Sequence, residues 1–149
     1  MTKDEKFMLL AIKEATKAKD IDEVPIGAVI VVNDKVISRG YNTREKSNDS
    51  TNHAEIIAIK KACKKLNNWR LIDAILYVTI EPCPMCAGAI LQSRIKKVVY
   101  GAKDIKGGAL GSTFNLFEQK NLNHHPTIIG GVLEEECSKI IKDYFKNKR

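Results

Sequence analysis

No run of eighteen apolar residues occurs anywhere in the 149-residue sequence, so no segment is fit to cross a bilayer as a helix. Internal repeats, linkers and low-complexity tracts are also missing. The opening Met1-Thr-Lys-Asp-Glu-Lys6 runs into an amphipathic pattern without a small-residue cleavage site, which argues against a signal peptide and for a cytoplasmic protein. Cysteine is limited to Cys63, Cys83, Cys86 and Cys137, and without a secretory context these do not read as a disulfide framework. Negative charge is in deficit, with 18 Asp and Glu against 25 Lys and Arg. The excess of seven favours an anionic partner such as nucleic acid, although a lysine-rich enzyme can be basic for other reasons. Apolar content of 44% and this length suit one globular domain over residues 1–149 and are too little for two.

Two short stretches carry the chemistry. His53-Ala-Glu55 and Glu81-Pro-Cys-Pro-Met-Cys86 supply an imidazole, two thiols and a carboxylate. Three soft or borderline donors with a fourth position open describe a catalytic zinc site better than a structural one. A helix N-terminus lowers thiol pKa, and the thiolate is the metal-binding form, so the Cys-x-x-Cys placement has a physical reason. A redox pair of the thioredoxin kind would lack the accompanying His-x-Glu, and buried inert cysteines are the plainer rival. A zinc-stabilised RNA-binding module without catalysis would need a fourth ligand. Cys63 cannot supply it, because ten residues along the same helix is about 15 Å. Cys63 and Cys137 read as core thiols, and His124 and His125 as exposed loop residues before Pro126. Glu55 does not share a helix face with His53, so it suits proton transfer at the metal better than ligation.

Around these stretches the spacing predicts an α/β chain. Thr2 and Glu5 form a capping box for a helix over 3–19, with Phe7, Leu10, Ala11, Glu14, Ala15 and Ala18 on one stripe. Ile26–Val32 and Lys35–Tyr41 form a hairpin about Asn33-Asp34. Asn42–Asn52 is a polar loop, and the helix from His53 is apolar nearly all round, so it is expected to be largely buried. Strand 76–80, a helix opening at Pro84, strand 97–101, a flexible loop at 107–111, strand 127–129 and a helix over 133–146 complete the chain. A hairpin followed by alternating helices and strands implies a three-layer α/β/α sandwich on a mostly parallel five-stranded sheet. Helices start at the carboxyl edge of such a sheet, so His53 and Cys83–Cys86 can meet at one point.

These motifs, with Glu23-Val-Pro-Ile-Gly-Ala28, Arg70-Leu-Ile-Asp73, Leu76-Tyr-Val-Thr-Ile80, Ser93-Arg-Ile95 and Gly107-Gly-Ala-Leu-Gly-Ser112, resemble the bacterial tRNA-specific adenosine deaminases of the cytidine/deoxycytidylate deaminase superfamily over essentially the whole chain. The resemblance implies a cytidine deaminase-like fold and one Zn2+ per subunit held by His53, Cys83 and Cys86. It implies deamination at C6 of the wobble adenosine in a tRNA anticodon stem-loop, giving inosine, with Glu55 as proton shuttle. Asn42 matches a contact to the flipped nucleoside, Asp104 and Lys106 a loop near the anticodon, and Asn123 and His124 a second such loop. Tyr144 and Phe145, ahead of Lys148-Arg149, have the aromatic and cationic chemistry that a splayed RNA loop needs, though an inward-packed helix would show the same letters. The family forms homodimers. Ser50 and Asn52 stand where it usually has proline and alanine. Pro84 is more frequent in relatives acting on free guanine or cytosine-type bases, and a free-base or nucleoside deaminase is the rival activity.

Overall fold

The computed structural model describes residues 1–148. Arg149, the last cation of the expected basic tail, lies outside the described residues. The capping box forms at the start of α1 (Lys3–Asp20): Thr2 Oγ1 accepts the Glu5 amide at 3.1 Å, and the Glu5 carboxylate accepts the Thr2 amide at 2.8 Å. The hairpin of β1 (Gly27–Val32) and β2 (Lys35–Tyr41) turns at Asn33 and Asp34, whose φ values of 50° and 62° are both left-handed. That pair suits the primed turn whose twist matches that of paired strands.

After the hairpin come α2 (Ala54–Leu66), β3 (Ile75–Ile80), α3 (Pro84–Gln92), β4 (Lys97–Ala102), β5 (Thr127–Ile129) and α4 (Glu134–Lys146). A single 3-10 turn at Leu116–Glu118, not expected from the sequence, lies between β4 and β5. The strand order is β2-β1-β3-β4-β5. β1 runs antiparallel to both β2 and β3, while β3, β4 and β5 are parallel, so four strands share one direction and β1 alone opposes them. The expected mostly parallel sheet is therefore what forms, with its one reversed strand inside the sheet.

Period-two burial divides the core. Val29, Val31, Tyr77 and Val99 face α1 and α4, where Met8, Ala11 and Cys137 complete the layer. Ala28, Ile30, Leu76, Val78 and Val98 face α2 and α3, against Ala58, Ala62, Ala87 and Ile90. The result is three layers, α/β/α. Gly40 on β2 lets α2 come close, since a Cβ there would lie 2.4 Å from the Ala54 carbonyl oxygen. The first turn of α2, next to His53, is thereby seated directly on the sheet.

Four local expectations change. In α1 Met8 is fully buried, while Phe7 and Leu10 are only half-buried. α2 is not buried all round: Ala54, Glu55, Ala58, Ile59 and Ala62 face the core, Ile56 and Ile57 are half-covered, and Leu66 is exposed. Only two layers meet at that helix, so among the described residues its far face has nothing to pack on. Cys63 packs at the edge of the core and is only half-buried, with its sulfur 3.8 Å from the Trp69 carbonyl oxygen, whereas Cys137 is a core thiol as expected. The 107–111 loop is also no loose connection, for Gly108, Ala109 and Leu110 are all buried.

Candidate metal centre

His53 is the N-cap of α2 and Cys83 the N-cap of α3, both with extended backbone (φ −78°, ψ 157° and φ −74°, ψ 172°). Neither side chain caps its own helix. At an N-cap, Ser, Thr, Asp or Asn would satisfy an orphan amide and add roughly 1 kcal/mol of stability. Two helices that forgo this and turn His and Cys outward are arranged for something other than their own stability. Pro84 takes the first helical position of α3, where a missing amide hydrogen has no consequence, and Cys86 follows, buried, on the first turn.

The three side chains converge. Cys83 Sγ is 3.7 Å and Cys86 Sγ 3.6 Å from His53 Nδ1, and all three donor atoms lie within 4.8 Å of one another. Two thiols and an imidazole at that spacing form a zinc-type donor set, short of the four ligands that a structural site uses. The cluster also holds thiolate character. Cys83 is drawn down to about 4, first by its hydrogen bond with Cys86 and then by His53, while the same contact and burial drive Cys86 far upward. His53 is raised above its ordinary value, chiefly by the contact with Cys83.

Glu55, in the first turn of α2, is 3% exposed, and its Oε1 has no hydrogen-bond partner. Burial pushes its carboxyl up to about 7. An orphaned buried carboxylate oxygen is unfavourable in a resting fold unless it has work at the site. Its environment supports the role of proton carrier beside the donor cluster.

A cavity of about 110 Å³ lies against this cluster, lined by Val24, Ile26, Asn42, Arg44, His53 and Ala54. Asn42 is 6% exposed; its Nδ2 donates to the Val24 carbonyl at 3.2 Å and its Oδ1 accepts the Arg44 amide at 3.0 Å. Asn42 is thus both a turn residue and a wall of the cavity. The other expected contacts are more dispersed. Asp104 closes a tight turn by accepting the Gly107 amide at 3.1 Å, and Lys106 is exposed beside it. Asn123 is exposed, and His124 is half-buried with Nε2 2.7 Å from the Ile95 carbonyl oxygen. The Tyr144 hydroxyl donates to Asp22, at 3.1 Å to the backbone oxygen and 3.2 Å to Oδ1, while Phe145 is 47% exposed. Of the two histidines expected to be exposed in this loop, His125 is exposed, with Nδ1 2.7 Å from the Phe117 carbonyl oxygen, whereas His124 is half-buried.

Sequence reasoning gives no role to Arg44, which lines the cavity, or to Glu81, which is buried just ahead of Cys83. A charged residue between an apolar strand and a proline is the one local signal that points to Glu81. Its partners lie more than twenty residues downstream, beyond any spacing rule.

Residues 1–102 match the family model for the cytidine and deoxycytidylate deaminase zinc-binding region. The chain is 52% identical, over its whole length and 92% of the relative's, to a tRNA-specific adenosine deaminase of Bacillus subtilis. It is 47% identical, over 98% of its length and 85% of the relative's, to the enzyme of the same name from Haemophilus influenzae. A structure solved in work on A-to-I editing by tRNA:A34 deaminases at the wobble position of transfer RNA superposes with a TM-score of 0.88 at 48% identity, covering 91% of this chain and 98% of that one. A guanine deaminase from Nitrosomonas europaea shares the fold, with a TM-score of 0.81 at 22% identity over 94% of this chain and 83% of that one.

Proposed function

The chain belongs to the cytidine and deoxycytidylate deaminase family, on the branch of the tRNA-specific adenosine deaminases, and we propose that it converts the wobble adenosine of a tRNA anticodon to inosine. It is a zinc-dependent hydrolytic deaminase acting on a C–N bond. The observation that carries this reading is the convergence of His53, Cys83 and Cys86 beside a buried carboxylate with a free oxygen.

His53, Cys83 and Cys86 would hold the zinc. When bound, zinc supplies Lewis acidity that allows water to lose a proton near pH 7. Glu55 would carry a proton from the attacking water to the leaving amine, so that a C6–O bond replaces the C6–NH2 bond and ammonia departs. Asn42 and the neighbouring wall hold a nucleoside that has left its stack, an unstacking that costs a few kcal/mol and is least demanding in an anticodon loop. Asp104, Lys106, Asn123 and His124 meet the flanking nucleotides, and Tyr144 and Phe145 the splayed loop. The whole of residues 1–149 acts as one deaminase domain in the cytoplasm. Exposed Leu66, Trp69 and Ile72 leave apolar surface for a second copy in a homodimer.

Nucleoside analysis of an anticodon stem-loop after incubation with the purified protein tests the substrate. Inosine at the wobble position is the expected product. Robust turnover of free guanine or cytidine with no change in the stem-loop would overturn the assignment in favour of a free-base or nucleoside deaminase.

A further inference from the structure

We infer that Glu81 is a positioning residue for substrate binding, which it serves by fastening the 104–112 loop to the metal motif; this rests on the deaminase reading above. Glu81 is 1% exposed, directly after β3 and two residues before Cys83. One of its carboxylate oxygens accepts the Asp104 amide at 3.2 Å and the Ser112 hydroxyl. The other accepts the amides of Leu110 at 3.0 Å and Ser112 at 3.1 Å. Four donors from both ends of one loop therefore converge on a single buried side chain. Burial raises its carboxyl pKa, but the Ser112, Leu110 and Asp104 bonds outweigh this and hold it below the ordinary value.

Two further contacts make the fastening specific. The Pro82 carbonyl accepts the Ala109 amide at 2.9 Å, so the loop is bonded to the residue immediately before Cys83. Gly108 lies so close to the carboxyl that a Cβ there would be 2.3 Å from Glu81 Cδ, which leaves room for no other residue. The loop in turn closes on itself through Asp104, whose carbonyl accepts the Gly108 amide at 2.8 Å. At its tip Ile105 and Lys106 are exposed. A base fastened at four points with a solvent-facing tip beside the zinc motif forms a rim, and among the described residues the buried Glu81 carboxylate is paired with this loop and with no cation. The hydrogen bonds of the Glu81 carboxylate go to residues 104–112, and it does not line the cavity, so its influence on the reaction passes through the position of this rim.

The test is Glu81→Gln, which keeps the volume but sets an amide NH2 against one of the two donor pairs. Ser112→Ala serves as a milder companion that removes one donor and leaves Glu81 in place. Steady-state kinetics on the anticodon stem-loop, zinc content and exchange of the Leu110 and Ser112 amides are measured on wild type and both variants. E81Q is expected to raise KM roughly tenfold with kcat within about threefold, at full zinc content and with faster amide exchange. Ser112→Ala is expected to show a smaller shift of the same kind, which carries the test even if E81Q folds poorly. Wild-type KM in both variants despite faster exchange, or loss of zinc in step with activity, would overturn the inference. Failure of the wild type itself to deaminate the stem-loop would instead strike the substrate assignment, and the exchange data would still show whether Glu81 holds the loop.

Discussion

Glu55 and Glu81 are the same residue type, both buried, and each lies two positions from a residue of the metal cluster, yet their surroundings drive them in opposite directions. Glu55 has an oxygen with no partner and a carboxyl pushed up to about 7 by burial. Glu81 has every oxygen engaged and a carboxyl held below its ordinary value despite burial. Burial alone therefore does not set the state of a carboxylate; the number of donors aimed at it does. The unsatisfied one is available for proton transfer, and the satisfied one is a fixture.

The largest effects should separate the two. Glu55→Gln is expected to lower kcat by roughly 10²–10⁴-fold, the range general acid–base catalysis contributes, while stability stays within about 1 kcal/mol of wild type. Glu81→Ala is expected to do the reverse. It leaves four donors without an acceptor and should cost about 3 kcal/mol or more, read as a Tm lowered by roughly 6–12 °C. A large loss of stability in Glu55→Gln, or none in Glu81→Ala, would erase the distinction.

Chelation sharpens it from the metal side. Removing zinc is expected to lower stability by about 3 kcal/mol where the free metal had stood near a hundred times its Kd, and added zinc should restore it. The Leu110 and Ser112 amides should remain protected throughout, since the Glu81 bonds involve no ligand residue. Exposure of those amides on chelation would mean that loop and metal motif are one cooperative unit.

Acid titration of the metal-free protein gives the next contrast, and the two signs differ. Glu81 binds a proton less readily folded than unfolded, so its stabilisation is complete above the ordinary carboxyl value of 4.5 and is lost as pH falls through its lower folded value. Glu55 binds a proton more readily when folded, so its contribution favours the fold below 4.5 and is lost as pH rises from there to about 7. Denaturant midpoints followed from pH 3 to 8 (on the order of the range set by these values) should flatten below 4.5 in Glu81→Gln and between 4.5 and about 7 in Glu55→Gln.

The same contrast explains what could be read in advance. The candidate zinc cluster was legible because its chemistry is local: three donor side chains in two motifs, each at a helix start that the strand–helix alternation places on one sheet edge. The reversed direction of β1 relative to β3 was not, because a hairpin specifies only its own pairing and says nothing of which neighbour it inserts beside. The exposed face of α2 escaped for a related reason, since periodicity counts apolar residues but not the layers available to cover them. Glu81 shows the limit most clearly. Its acceptor role depends on amides 23 to 31 residues away, whereas the orphaned state of Glu55 follows from an acidic residue on an apolar helix.

The smallest expected effect concerns the C-terminal helix, where satisfied and unsatisfied groups again sit side by side. The Tyr144 hydroxyl is occupied by Asp22, which also pairs with Lys148 Nζ at 2.6 Å, whereas the neighbouring Phe145 ring is exposed. Tyr144→Phe removes one bond at a solvent-exposed latch and should lower stability by about 1 kcal/mol or less, with the stem-loop KM unchanged because the ring remains. Phe145→Ala removes a free aromatic face and should raise that KM about fivefold, as loss of one stacked base would, with little change in Tm. If Tyr144→Phe raised KM as much as Phe145→Ala, the hydroxyl would be reaching RNA instead of holding Asp22, and a group engaged within the fold could no longer be read as closed to substrate.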